Sequence, residues 1–157
     1  MQKITPFLWF DNQAEEAMHF YTSIFKNSKV GKVTRYGDGA PMPKGTVMTA
    51  SFELDGLQFT ALNGGPIFKF TEAVSFDISC KSQEEVDYYW EKLIAGGGQA
   101  SQCGWLKDKY GLSWQVVPTV LHELLADKDR AKANRVMQAM LAMKKIDIGK
   151  LQEAAAA

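Results

Sequence analysis

The chain has 157 residues, a length that fits one ordinary domain and leaves no room for a second large one. Hydrophobic residues make up 46% and charged residues 23%, and the formal net charge is zero, so no strongly basic surface attracts nucleic acid or anionic lipid. Two cysteines without metal-ligand spacing, no apolar signal segment and no long apolar run predict a cytoplasmic, disulfide-free protein that does not enter a membrane.

Strand and helix patterns alternate along the first half of the chain. Asn12 and Glu15 have capping-box spacing, and apolar residues recur at helical intervals from Ala14 to Phe25. Asp55-Gly56 is the strongest hairpin signal in the sequence. The strands predicted here are residues 3–10, 30–36, 47–54 and 57–63.

The second half repeats this order. A strand over 73–80 precedes a helix that begins at Ser82 and ends at Gly96, and a strand pair follows. A shift of 69 residues superposes helix residues Ala17 on Val86, Tyr21 on Trp90 and Ile24 on Leu93, and strand residue Phe7 on Phe76. We interpret this as an internal duplication. The last strands are predicted at 101–106 and 112–117, with helices after them and a frayed run of alanines at the end.

Three segments carry a family resemblance: QCGWLKDKYGLSWQVVP at 102–118, PFLWFDNQAEEA at 6–17 and MKKIDI at 143–148. Together they resemble the PhnB-like branch of the vicinal oxygen chelate superfamily, which includes glyoxalases, bleomycin-resistance proteins and extradiol dioxygenases. This branch also bears the name 3-demethylubiquinone-9 3-methyltransferase domain. The resemblance implies an α+β fold in which two βαβββ modules form curved mixed sheets that enclose a cavity. We expect one domain over 1–157, with modules at 1–66 and 67–118 and a helical extension at 119–157.

The resemblance also locates where metal-dependent relatives carry ligands, usually two histidines and two carboxylates. Gln115 stands where such relatives have a ligand glutamate, and no His, Asp, Glu or Cys occurs at the other positions that the resemblance indicates, Ile4 and Ala73, or over 57–63. Because a divalent ion needs anionic or imidazole ligands, we predict neither metal nor cofactor. The histidines, His19 and His122, are predicted to be exposed.

Strand alternation selects the candidate ligand-binding residues. Ser113 and Gln115 share one face of the last strand, and the resemblance puts Gln115 inside the cavity. Ser75 and Asp77 should share that face in the second module, and Pro6, Leu8 and Phe10 are their counterparts in the first. The full set is Pro6, Leu8, Phe10, Asn63, Ser75, Asp77, Ser113 and Gln115. The alternative is that the polar members are core groups bonded to backbone, and that Trp105, Lys107 and Asp108 form a turn or a dimer contact.

The leading functional hypothesis is a metal-independent protein that binds an unknown small molecule. One rival is an enzyme of the same superfamily, an isomerase, a lyase or the methyltransferase of the family name, using Asp77, Gln115 or Lys107. Another is an interaction module with a basic C-terminal helix. The glycines at 64–65 and 96–98 fit turns better than a cofactor loop. The resemblance and the sheet edges predict a homodimer.

Overall fold

A strand–helix–three-strand order occurs twice in the structure, a computed structural model that describes residues 2–157. The described residues divide into two units between Lys69 and Phe70. Each unit contains one four-stranded mixed sheet, and the sheets have the same topology. The predicted α+β fold of two βαβββ modules with C-terminal helices is confirmed.

In the first unit the elements are β1 (Phe7–Phe10), α1 (Ala14–Ile24), β2 (Ser28–Arg35), β3 (Val47–Leu54) and β4 (Leu57–Asn63). The sheet order is β1-β4-β3-β2, with β1 parallel to β4 and the other pairs antiparallel. The β3–β4 hairpin has the predicted bounds. Its turn places Asp55 at φ 46° and Gly56 at φ 82°, the left-handed conformation that an Asp-Gly turn adopts at low cost.

The core of the first unit lies between α1 and one face of its sheet. The Tyr21 ring of α1 stacks on Phe52 of β3 with centroids 6.1 Å apart, and Phe52 stacks on Phe59 of β4 at 5.4 Å. All three residues are buried. The apolar stripe predicted for this helix therefore faces β3 and β4.

The second unit begins with β5 (Ser75–Cys80), α2 (Gln83–Ile94), β6 (Gln99–Ala100), β7 (Trp105–Lys107) and β8 (Ser113–Pro118). Their order, β5-β8-β7-β6, repeats the first sheet, with β5 parallel to β8. The buried residues of α2 are Val86, Trp90 and Leu93, as the repeat predicts. On the sheet face that packs against α2, Leu106, Trp114 and Val116 are at most 3% exposed.

The C-terminal helices α3 (Thr119–Leu125), α4 (Arg130–Leu141) and α5 (Ile148–Ala156) belong to the second unit. They enclose an apolar cluster of Val117, Leu121, Val136, Met143, Ile146 and Leu151. The prediction of a frayed end is wrong, because α5 continues to Ala156. Arg135 on α4 donates hydrogen bonds from Nε and Nη2 to the carbonyls of Ala154 and Ala155, at 2.9 and 3.0 Å.

The predicted capping box forms at the start of α2 but not at the start of α1. Ser82 Oγ accepts from Glu85 N at 3.2 Å, and Glu85 Oε2 accepts from Lys81 N at 2.6 Å. The capping box predicted for Asn12 and Glu15 does not form, since Gln13 is the N-cap and makes no side-chain hydrogen bond. The predicted strand 101–106 is also shorter, because residues 102–104 form a turn before β7.

Among residues 2–157, no helix is both long and apolar enough to cross a membrane.

Candidate functional site

The sheet of the second unit has one face against α2 and an opposite face that carries polar side chains. Ser75 pairs with Ser113, Asp77 with Gln115, and Gln115 with Trp105. Directly paired residues point to the same side of a sheet. We call this side the polar face and define it by Ser75, Asp77, Trp105, Lys107, Ser113 and Gln115. The structure thus brings four of the candidate residues together, and their role in ligand binding stays a prediction.

A side-chain hydrogen bond joins the two central strands of the polar face. Gln115 Nε2 donates to Ser75 Oγ at 2.9 Å. Both side chains are half-buried, whereas Asp77 is exposed. Ser113 is 1% exposed, and its hydroxyl has no hydrogen-bond partner among the described residues. The alternative in which these groups bond to backbone therefore does not describe Gln115 or Ser113.

Asp108 holds the turn that connects β7 to β8. Its Oδ1 accepts from the backbone N–H of Tyr110 at 2.8 Å and of Leu112 at 3.1 Å, and its Oδ2 accepts from Trp114 Nε1 at 2.9 Å. Only 2% of the residue is exposed. Of the alternatives left open for Trp105, Lys107 and Asp108, a turn forms at Asp108 only, since Trp105 and Lys107 lie in β7. The turn leads into β8, the strand that carries Ser113 and Gln115.

Lys107 ends β7 on the polar face and forms an ion pair with Glu72. The hydrogen bond from Lys107 lowers the pKa of the Glu72 carboxyl, with a smaller contribution from the charge of the same lysine. The two side chains are 39% and 60% exposed, so water reaches the pair.

In the first unit, Leu8 and Phe10 lie on the face of the sheet that α1 covers, whereas the prediction put them on the opposite face. Leu8 pairs with Ala61, and Phe10 pairs with Asn63, on the face that packs against α1. Leu8, Phe10 and Asn63 are 6%, 3% and 8% exposed. Asn63 Oδ1 accepts from Ala14 N at 2.8 Å and Nδ2 donates to Val47 O at 3.1 Å, so its amide supports the start of α1. Pro6 precedes β1, and its carbonyl accepts from Thr60 N at 3.0 Å.

One residue in a connecting segment explains this difference. Three residues, 11–13, link β1 to α1, whereas two residues, 81–82, link β5 to α2. A shift of 69 therefore superposes the helices, but Leu8 and Phe10 correspond structurally to Ile78 and Cys80, a shift of 70. A slip of one residue in a strand exchanges its two faces.

The face of the first sheet opposite α1 consists of residues that the sequence analysis did not select. Its members on three neighbouring strands are Phe7, Trp9, Thr49, Ser51, Thr60 and Leu62. Trp9 Nε1 donates to Gly65 O at 2.9 Å. A Cβ at Gly64 would lie 2.4 Å from the Trp9 ring, so this position requires glycine. Alternation of Thr49 and Ser51 with buried Ala50 and Phe52 was the available signal.

The side chains present do not fit a tightly held divalent metal. The polar face offers one amide, two hydroxyls and one exposed carboxylate near its centre. Nowhere in residues 2–157 do three or more His, Cys, Asp or Glu side chains form a group that could hold a metal ion. His19 and His122 are both exposed. Neutral oxygen donors, the Asp77 carboxylate and a Glu72 carboxylate already paired with Lys107 supply too little charge to replace the water of such an ion.

The thiols also lie apart from the polar face. Cys80 is completely buried, and burial, with smaller effects of Glu85 and Asp77, raises the pKa of its thiol to about 12. Cys103 is half-buried and occupies a turn at φ 57°, rather than the strand that the sequence predicted.

The βαβββ order occurs twice, and in each module the first and last strands along the chain are parallel neighbours. This arrangement defines a protein of the vicinal oxygen chelate fold. A protein from Pseudomonas aeruginosa is 20% identical with a TM-score of 0.61, covering 75% of this chain and 98% of its own. The genomically encoded fosfomycin resistance protein FosX from Listeria monocytogenes is 17% identical with a TM-score of 0.53, covering 78% of this chain and 97% of its own. Both likenesses concern the fold alone.

A closer likeness identifies the family. The sequence model of the 3-demethylubiquinone-9 3-methyltransferase family matches residues 2–117. A PhnB protein from Bacillus cereus that carries the same methyltransferase name is 39% identical with a TM-score of 0.68, covering 75% of this chain and 100% of its own. The chain belongs to this family, and the resemblance predicted from the sequence is confirmed. The comparison with curated proteins gave no match.

Proposed function

We propose that the protein binds a small organic molecule on the polar face of the second sheet and that binding needs no metal. The hydrogen bond from Gln115 to Ser75 is the observation that supports this most directly. It leaves the Gln115 carbonyl oxygen available to accept a hydrogen bond and the Ser75 hydroxyl proton available to donate one. Small-molecule sites combine mostly apolar walls with a few oriented polar groups, and these two groups would supply the polar part.

The neighbouring side chains favour an amphiphilic ligand. Trp105, paired with Gln115, adds a half-buried aromatic surface next to the amide. Aromatic rings contribute contact area, while an amide and hydroxyls orient polar groups. The proposal therefore concerns a partly apolar molecule with oxygen or nitrogen substituents.

Methyl transfer is not part of the proposal, although the family name contains it. Gly64 and Gly65 follow β4, and the glycines at 96–98 follow α2. Neither cluster connects a strand to the start of a helix, where a glycine-rich turn would accommodate a nucleotide-like cofactor.

A fluorescence titration with phenylnaphthylamine, a neutral amphiphilic probe, tests the proposal in a buffer containing a chelator. We expect saturable binding that Gln115→Trp weakens by about tenfold or more, because the larger ring fills space at the centre of the polar face. Gln138→Trp, at an exposed position of α4, is the matched control and should bind like the parent protein. Thermal unfolding of both variants checks their folding.

Two outcomes would contradict the proposal. One is binding that Gln115→Trp leaves unchanged, which would place the probe elsewhere. The other is binding that appears only after Zn²⁺, Ni²⁺ or Mn²⁺ is added to the chelated protein, since the proposed site uses protein groups alone. A rise of several degrees in melting temperature at micromolar metal would support the second outcome.

A further inference from the structure

Three hydrogen-bond donors form a row across the polar face. Ser75 of β5 pairs with Ser113 of β8, and Ser113 pairs with Lys107 of β7. Neighbouring strands lie about 4.8 Å apart, so the two serines are direct neighbours and the Lys107 side chain starts from the next strand on the same face. Ser75 Oγ accepts from Gln115, and its own proton is therefore available to donate away from Gln115.

The central member of the row is an unpaired buried hydroxyl. Ser113 Oγ is inaccessible to solvent and has no partner among residues 2–157. A buried hydroxyl without a hydrogen bond costs about 1–3 kcal/mol, and native proteins contain few of them. Since its two neighbours in the row are also donors, a group that could pair with Ser113 and with them must be an acceptor.

A protein carboxylate already pairs with one end of the row. Glu72 lies just before β5, and its carboxylate pairs with Lys107 on β7. Because β8 lies between β5 and β7, this ion pair spans the strand that carries Ser113. Exposed ion pairs contribute little net stability, so another anion can replace Glu72 at low cost.

We propose that Ser75, Ser113 and Lys107 bind an oxyanion of the ligand, such as a carboxylate, sulfonate or phosphate, and that Glu72, which pairs with Lys107 in the structure, moves away to give the ligand access to Ser113. This inference rests on the proposed function and specifies its ligand class as anionic amphiphiles. The adjacent row of Asp77, Gln115 and Trp105 carries an acceptor-rich and aromatic surface. It would contact the uncharged part of the same molecule.

Two related probes separate oxyanion recognition from amphiphile binding. Anilinonaphthalene sulfonate contains the arylamine of phenylnaphthylamine and adds a sulfonate. Lys107→Met should weaken binding of the sulfonate by about tenfold, as expected when one charge-assisted hydrogen bond is lost, and should weaken binding of the neutral probe far less. Glu72→Gln should tighten sulfonate binding by about two- to fivefold, because the competing carboxylate is removed.

Conservative and distant substitutions provide the controls. Lys107→Arg keeps the positive charge and should retain sulfonate binding within about twofold. Lys92→Met makes the same change on an exposed position of α2 and should alter neither probe. Thermal unfolding checks each variant. If Lys107→Met does not fold, the tighter sulfonate binding expected of Glu72→Gln, with Lys107→Arg as its control, still tests the oxyanion row.

The possible failures are distinguishable. Equal effects of Lys107→Met on both probes, or no effect of Glu72→Gln and Lys107→Met on the sulfonate, would overturn the oxyanion row. The proposed function would survive that result if Gln115→Trp still weakens the neutral probe. Absence of saturable binding by both probes would overturn the proposed function and this inference together.

Discussion

Asp108 shows how a carboxylate in the family motif can support a site without touching a ligand. It accepts two backbone hydrogen bonds and one from the Trp114 indole while it is nearly inaccessible to water. Three such bonds satisfy most of the acceptor capacity that burial would otherwise leave unpaired. The place of Asp108 and Trp114 in the 102–118 motif is therefore explained by the turn between β7 and β8, which leads into the strand that carries Ser113 and Gln115.

The two cysteines should differ strongly in reactivity. At about pH 8 Cys80 is protonated, because its thiol pKa is raised to about 12, and it is also buried. Cys103 is half-buried at a turn and should react first. A chromogenic disulfide reagent should therefore modify one thiol quickly and the second only after urea unfolding. Cys103→Ser should abolish the fast phase, and two fast thiols would contradict the burial of Cys80.

At the scale of elements, the segments that carry the family resemblance are hydrogen-bonded to one another. Cys103 N and Gly104 N donate to the carbonyls of Met143 and Lys144, both at 2.8 Å. The turn of the 102–118 motif thus holds the 143–148 segment. Because these are backbone hydrogen bonds, they hold the two segments together without depending on their side chains.

The side chain of Gln83, at the start of α2, is hydrogen-bonded to the 143–148 segment. Its Nε2 donates to Ile146 O at 3.0 Å, and its Oε1 accepts from Ile148 N at 2.8 Å. We expect Gln83→Ala to lower the free energy of unfolding by about 1–3 kcal/mol, because three side-chain hydrogen bonds are lost, including one from Nε2 to Asp87 Oδ1 at 3.0 Å. Urea denaturation measures the change. Gln83→Glu should not recover this loss, since a carboxylate oxygen would face the Asp87 carboxylate and the Ile146 carbonyl to which the amide now donates. Equal stability of Gln83→Ala and the parent protein would contradict this role.

Elements formed by local sequence signals were predictable, whereas their faces depended on distant contacts. The β3–β4 hairpin has its predicted bounds because alternation and the Asp-Gly turn are both local. The start of α1 is supported by Asn63, 49 positions away, which no local spacing reveals. The prediction exchanged the two faces of β1, because the segment between the first strand and the helix is one residue longer in the first module than in the second. Ser75, Asp77, Ser113 and Gln115 were grouped correctly because both their strands belong to one module.

At the scale of the molecule, the part of the chain that the family model matches ends before the second unit does. The match ends at residue 117, while the apolar cluster that begins with Val117 continues through α3, α4 and α5. The cluster contains residues from both sides of this boundary, so the C-terminal helices complete the core of the second unit. The sequence left open whether they were part of the fold or an interaction module, because an amphipathic helix can serve either role.

Removal of residues 128–157 should therefore unfold the second unit. The deletion takes away Val136, Ile146 and Leu151, each fully buried, and exposes Val117 and Leu121. Burial of one such aliphatic side chain contributes about 1.5–3 kcal/mol, so the loss is comparable with the whole stability of a domain. Circular dichroism and amide exchange of the truncated chain measure the result. A truncated chain with an unchanged unfolding midpoint would favour the interaction module instead.

A pair of point substitutions tests the same conclusion while keeping the chain intact. Leu151→Ala, at a residue with 0% exposure, should lower the free energy of unfolding by about 2–5 kcal/mol, because it leaves a cavity among the C-terminal helices. Leu141→Ala makes the identical chemical change at a residue that is 51% exposed, and we expect less than about 0.5 kcal/mol. Urea denaturation followed by tryptophan fluorescence reports on both. If the two variants lose equal stability, burial in this cluster does not stabilise the second unit, and the helices would have to be assigned a role outside its core.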